Sequence, residues 1–349
     1  MFATNCAMKR LLDPPALTNL TPGPRRRRPA LRPRRFSRIL VPIDFSRPSL
    51  KAMPYALAIS RQFGADVHLL HVTDLSQQPP PTLMTLPLIP RSESNRRLMR
   101  RLRSIALKYR TPGNVHALDL REGVAYEEIC ATAREIKADL IVIATHGYTG
   151  YKRMFLGSTA ERVVQHSLCP VLVVRQHIAH LNGSNGRRSR IDFRLARILV
   201  PNDFSNCSKI AFRYATELAR DFKAEVRLVH VIDPHWYPFG DQYAALDAAR
   251  LMQGASDAAQ KQMRSMAARS NVRYSVRVIR GSPAVEICHA ANEDADLIVI
   301  STHGRTGLGH ILIGSVAEHV VRYAYCPVLV IPARPNALNS ISQIKNENP

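Results

Sequence analysis

Two stretches, ATHGYTGYKRMFLGS at 144–158 and STHGRTGLGHILIGS at 301–315, set glycines and small hydroxyl residues behind wholly apolar runs. Gly147 and Gly304 let backbone approach a ligand closely or take a positive φ. After nine intervening residues come Gly157-Ser158-Thr159 and Gly314-Ser315-Val316, which read as helix starts. The unpaired N–H groups and positive end of a helix favour anionic oxygens such as those of phosphate, and a serine hydroxyl adds a donor. A plain helix start is the competing reading of the same residues.

A second group of residues suits a flat base. Pro42-Ile43-Asp44 and Pro201-Asn202-Asp203 each close an apolar run. An aspartate there can accept from an exocyclic amine and an adjacent ring N–H, or it can cap the helix that follows. Val72 and Val231, each after a histidine in LLHV or LVHV, offer an apolar wall. Together these are the groups a purine nucleotide needs, with the base near Asp44 or Asp203 and phosphates near Ser158 or Ser315. His71 and His230 end apolar runs and read as core histidines. His146 and His303 have no carboxylate or nucleophile at readable spacing, so they read as positioning groups rather than bases. Glu161 and Glu318 fit solvated helix positions. No residue is assigned to catalysis or to a metal. GxxxxGK[ST] is absent, and the first strand-to-helix turn carries no GxGxxG, which argues against a P-loop ATPase and a dinucleotide site.

The elements that must position these groups are written twice. RILVPIDFS at 38–46 returns as RILVPNDFS at 197–205, ADLIVIATHG at 138–147 as ADLIVISTHG at 295–304, and LGSTAERVVQHSLCPVLVV at 156–174 as IGSVAEHVVRYAYCPVLVI at 313–331. LLHVTD and REGVAYEEIC also recur, as LVHVID and RGSPAVEICHA, and the offset across these blocks drifts only from 159 to 157. This is a duplicated domain. Each copy alternates strand-like segments with helical patterns; in the first, RILVPI, DVHLLHV, VHALDL, DLIVIA and PVLVV read as short strands buried on both faces. The helical patterns of that copy lie near 46–63, 92–110, 124–137 and 157–167, with Ser46 and Ser205 as N-caps of the first helix in each copy. Alternating β and α predicts an open, doubly wound α/β sheet whose ligands sit beyond the carboxyl ends of the strands.

The net charge of +22 is local. Residues 1–38 carry +9, 175–197 carry +5 and 91–110 carry +7. The boundaries read as a basic, disordered extension at 1–37, domains at 38–175 and 195–333, a linker at 176–194 and a disordered tail at 334–349. The Arg/Pro-rich extension lacks the apolar core of a secretory signal; weak contact with nucleic acid or anionic membrane is its alternative to a solvated role. No apolar run approaches the ~20 residues of a membrane span. The six cysteines lack metal-type spacing and read as core residues of a reducing, cytoplasmic protein.

On the ILVPxDFS opening, the LxHV strand, and THG-x9-GS with its ERVV and CPVLVV tail, both copies resemble universal stress protein domains. The resemblance implies a Rossmann-like, adenine nucleotide alpha hydrolase-like domain with five parallel strands, cytoplasmic location, and pairing through the last strand, between the two domains or in a homodimer. One branch of that family binds ATP, some tandem members with a metal ion, so ATP, ADP or AMP with Mg or Mn is the implied cofactor. By position, Pro42, Ile43, Asp44 and Val72, or Pro201, Asn202, Asp203 and Val231, would hold the base. Ala144, His146, Gly147, Gly157, Ser158 and Thr159, or Ser301, His303, Gly304, Gly314, Ser315 and Val316, would border ribose and phosphates. The branch has glycine where this chain has Ala144 and Ser301, which matters if the site needs a positive φ there. The expected function is a stress-response module acting by nucleotide occupancy. A scaffold with degenerate pockets and a slow ATPase are the alternatives.

Overall fold

The computed structural model describes residues 36–73, 91–109, 115–145, 157–175, 195–233, 242–302 and 313–333. Residues 1–35 of the extension, the linker and the tail lie outside the described residues, as do His146, Gly147, His303 and Gly304. Phe36 and Ser37, assigned to the disordered extension, instead belong to the fold, with Phe36 2% exposed and packed edge-on against Phe63.

The first copy runs β1 (Arg38–Pro42), a 3-10 turn (Ser49–Lys51), α1 (Ala52–Phe63), β2 (Asp66–Thr73), α2 (Arg91–Lys108), β3 (Val115–Glu122), α3 (Ala125–Glu135), β4 (Leu140–Ala144), α4 (Ser158–His166) and β5 (Val171–Val174). The second runs β6 (Arg197–Pro201), α5 (Asn206–Phe222), β7 (Glu225–Ile232), α6 (Gln242–Ala268), β8 (Tyr274–Arg280), α7 (Pro283–Asp294), β9 (Leu297–Ser301), α8 (Ser315–Tyr323) and β10 (Val328–Ile331). Among the described residues, no helix is long and apolar enough to cross a membrane.

Among the described residues, ten strands form one sheet, ordered β3-β2-β1-β4-β5-β10-β9-β6-β7-β8. Pairing is parallel within each copy and antiparallel where β10 meets β5, with Leu329 opposite Leu172. The central strands are buried on both faces, as their unbroken Val/Ile/Leu content requires; β3, read as buried like them, is instead an edge strand with no fully buried residue. One apolar core lies under α1, α2, α5 and α6, and a second lies on the opposite face under α3, α4, α7 and α8. Both cores contain residues of both copies. At the junction Phe63 meets Phe222 edge-on at 5.7 Å, and Gln62 Nε2 donates to the Asp221 carbonyl at 3.0 Å. On the other face Arg322 pairs with Glu318 at 2.8 Å and with Glu161 at 3.7 Å. Those glutamates, expected to be merely solvated, meet at one cation across the joint.

Strand order reverses on either side of β1 and β6, which places a switch point between β1 and β4 and another between β6 and β9. At the far ends of these strands, Asp139 accepts the Ser37 and Arg38 amides at 2.7 and 2.9 Å, and Asp296 accepts those of Ala196 and Arg197 at 2.9 Å each. These carboxylates tie β4 to β1 and β9 to β6 at their amino ends.

Ser205 caps α5 as expected, accepting the Ser208 amide at 3.1 Å. The first copy differs. Ser46 accepts the Ser49 amide at 3.1 Å, but this opens the 3-10 turn, and α1 itself starts at Ala52. Pro54, in the first turn of α1, needs no intrahelical acceptor there.

Candidate functional site

The second copy holds a cavity of about 580 Å³ at the carboxyl ends of β6, β7 and β9. Ligand pockets commonly span ~300–1,000 Å³. Pro201, Asn202, Asp203, Val231, Ser301, Gly314, Ser315 and Val316 all line it. Every residue assigned to the second site from the sequence is therefore gathered around one space, apart from His303 and Gly304, which are not described.

The turn after each first strand is built the same way twice. Asp44 Oδ1 accepts the Ser46 amide at 2.9 Å, and Asp203 Oδ1 accepts that of Ser205 at 3.0 Å. These turns carry Phe45 and Phe204 at φ of 64° and 66°, a left-handed conformation costly for a bulky residue and held only when surroundings enforce it. The enforcement includes the next strand. His71 Nδ1 lies 2.7 Å from the Ile43 carbonyl, and His230 Nδ1 lies 2.7 Å from that of Asn202. A carbonyl can only accept, so each Nδ1 carries the proton. Burial pushes the His71 ring below the usual imidazole range, which keeps it neutral. Each ring also packs on its phenylalanine, at 4.2 Å for His71 and Phe45 and 4.7 Å for His230 and Phe204. Both histidines brace the turn; His71 is buried, as its reading as a core residue anticipates, whereas His230 is half-buried and borders the cavity.

Asn202 is 3% exposed and turned to the chain's own groups. Its Oδ1 accepts the Phe204 amide at 2.7 Å and the Ser208 hydroxyl at 3.2 Å. It borders the cavity while acting as a strut. Its counterpart Ile43 is a core residue.

The loop after β4 or β9 is tied at its ends. Thr145 and Thr302 donate to Val174 and Ile331 at 3.1 and 3.0 Å, and their carbonyls accept the Gly157 and Gly314 amides at 2.6 and 2.7 Å. Gly157 and Gly314 then stand as extended N-cap residues, and no side chain caps α4 or α8. Ser158 and Thr159 open α4 as Ser315 and Val316 open α8. Ala144 and Ser301 are the last residues of regular parallel strands, paired with Val174 and Ile331. Neither is among the described residues with positive φ. A side chain here thus costs space at the crevice and no backbone strain.

Sequence reasoning missed part of the wall. Phe204, His230 and Thr302 line the cavity, as does the α6 face of Ala255, Ala258, Ala259 and Gln262. The repeated DFS and THG words could have pointed to the phenylalanine and threonine. The α6 face had no repeated word to find it by.

Fold and cavity together define a doubly wound α/β protein with a cavity of ligand size at a switch point. The family model described as "Universal stress protein family" matches residues 35–175 and 195–332. A universal stress protein of Mycolicibacterium smegmatis is 26% identical over 309 residues, spanning 85% of this chain and 97% of its own length. One from Methanocaldococcus jannaschii is 37% identical over 139 residues, covering 39% of this chain and 81% of the relative. The crystal structure of a universal stress protein from Archaeoglobus fulgidus overlays with a TM-score of 0.61 at 21% identity, covering 84% of this chain and 96% of that one. The chain belongs to the universal stress protein family, as a tandem member with two such domains.

Proposed function

We propose that this tandem universal stress protein binds an adenine nucleotide, ATP or AMP, and acts by occupancy rather than turnover. The observation that carries this reading is the cavity of about 580 Å³, which joins a base-sized crevice beside Asp203 to the amino end of α8. Asp203 already accepts one amide, but a carboxylate has about four lone-pair sites. Capping the turn and receiving the base amine are thus compatible. Phe204 and His230 supply flat walls for a ring. Ser315 and the first amides of α8 suit phosphate oxygens, with His303 and Gly304 bordering them by family position. Asp44, Val72, Ala144, Gly157, Ser158 and Thr159, with His146 and Gly147, are the first domain's counterparts. Mg or Mn would enter with the phosphates; among the described residues no three His, Cys, Asp or Glu side chains cluster to hold a metal ion.

Five described cysteines are free thiols, which supports a reducing, cytoplasmic setting. The β5–β10 pairing supports association of the domains within one chain; a solution mass of twice the chain's would support the homodimer. The alternative of a scaffold with degenerate pockets rests on Ala144 and Ser301, whose extended backbone weakens it. Titration calorimetry of the full chain with ATP and magnesium tests the proposal. Saturable heat without phosphate release supports it, and no binding at millimolar ATP discards it. Sustained phosphate release abolished by bulky residues at Gly157 and Gly314 would favour the slow ATPase.

A further inference from the structure

The helix that walls the crevice differs between the copies, and burial rhythm aligns the two versions. From Asn95 to Tyr109 the turned-in positions of α2 recur at Ser256 to Ser270 of α6, 161 residues later. Leu102 and Met263, both 0% exposed, coincide on this match. Ala258, Ala259 and Gln262, which face the second cavity, then correspond to Arg97, Leu98 and Arg101. Three small or neutral side chains are exchanged for a bulkier apolar group and two cations.

Arg101 occupies a telling place. Its guanidinium carbon lies 4.5 Å from the centre of the Phe45 ring. Phe45 is the counterpart of Phe204, which lines the second cavity. Phe45 is buried where Phe204 is half-buried, and His71 is buried where His230 is half-buried. A base entering the first crevice against Phe45 must dislodge the guanidinium, which alone weakens binding about two- to five-fold. Leu98 packs against the core at the position of Ala259, and its larger side chain narrows the crevice further.

Resting on the nucleotide reading above, we infer that the two domains are functionally unequal. The second takes the adenine nucleotide, with Ala259 and Gln262 leaving room for the base. Leu98 and Arg101 keep the first domain from binding at comparable affinity. One chain therefore carries one tightly held nucleotide.

Equilibrium dialysis of the full chain against ATP and magnesium reads the stoichiometry, and 8-azido-ATP photolabelling with peptide mapping reads the location. The expected result is one ATP per chain, with label in peptides from 195–333. Leu98→Ala with Arg101→Gln should raise the count to two. Gln262→Arg, on an exposed position and so safe for folding, should weaken the original site about two- to five-fold. Adding Ala259→Leu should extend the loss to tenfold or more. Two equivalent sites in the unmodified chain, label concentrated in the first half, or indifference of the count and affinity to all these changes would overturn the inference and leave the nucleotide reading standing. An absence of binding by every form would remove both.

Discussion

At the turn after the first strand, the two copies reach one geometry with different side chains. Phe45 and Phe204 share a left-handed φ, 64° and 66°, and each sits under a histidine whose Nδ1 is 2.7 Å from the same backbone carbonyl. Yet Asn202 accepts two hydrogen bonds in one copy where Ile43 joins the core in the other. The strand-end geometry is carried by backbone, aspartate and histidine, so the residue between proline and aspartate is released to vary. The same contrast recurs on a larger scale. The sheets match strand for strand, whereas the helix beside each crevice carries Ala258, Ala259 and Gln262 in one copy and Arg97, Leu98 and Arg101 in the other. What closes the core is shared, and what meets solvent and ligand has diverged.

Four experiments sharpen that comparison. The largest effect belongs to the joint between the copies. Leu329→Ala, which empties a site that is 3% exposed, should cost about 2–5 kcal/mol in urea unfolding. Ile279→Ala, partly buried on the outer β8, should cost clearly less; equal losses would deny that the joint is core. Asn202→Ile makes the second turn imitate the first. It should cost about 1–3 kcal/mol, because the buried Phe204 amide and Ser208 hydroxyl lose an acceptor. A neutral result would show the two turns already interchangeable.

Gly123 and Gly281 sit at φ of 149° and 144° after the third strand of each copy. Alanine should destabilise either by about 1–3 kcal/mol. Gly281 should suffer more, since its new Cβ would meet Glu286 Cγ at 2.8 Å against 3.1 Å to Glu128 Cγ at Gly123. Thermal denaturation of the pair orders them. The smallest effect is a titration. Burial pushes the Cys130 and Cys288 thiols up to about 11 from 9.0. Their native pKa values are raised, so their stabilising contribution is complete below pH 9 and is lost as pH rises toward 11. Unfolding curves across that range, with and without serine at both positions, should show matched contributions. A thiol reagent that modified one copy in the native state at neutral pH would break the symmetry.

Much of this architecture was legible because duplication supplies its own alignment. The five repeated blocks located nearly every strand, and the residues they ended in are those that converge at the crevice of the second copy. Three features escaped, for physical reasons. VLVV and VLVI are apolar on both faces, so they carry no mark of whether a neighbour runs parallel or antiparallel. The offset of 161 between α2 and α6 was hidden, because only the inward face is held to a pattern and Arg97 or Ala258 lies off it. Gly123 and Gly281 stood in view inside a repeated block, but a positive φ has no signature beyond the glycine itself. For Ala144 and Ser301, the residue type raised a question that only the strand register could answer.

The antiparallel seam between β5 and β10 has one more consequence. It turns the second half of the molecule end over end relative to the first, so the two crevices open on opposite rims. A body that grips one rim leaves the other accessible, and any influence of one rim on the other must cross the joint, through the four-residue strands at its centre or the helix contacts that flank them. The molecule is in this sense two-ended, with the carboxyl edges of its two sets of strands facing opposite ways.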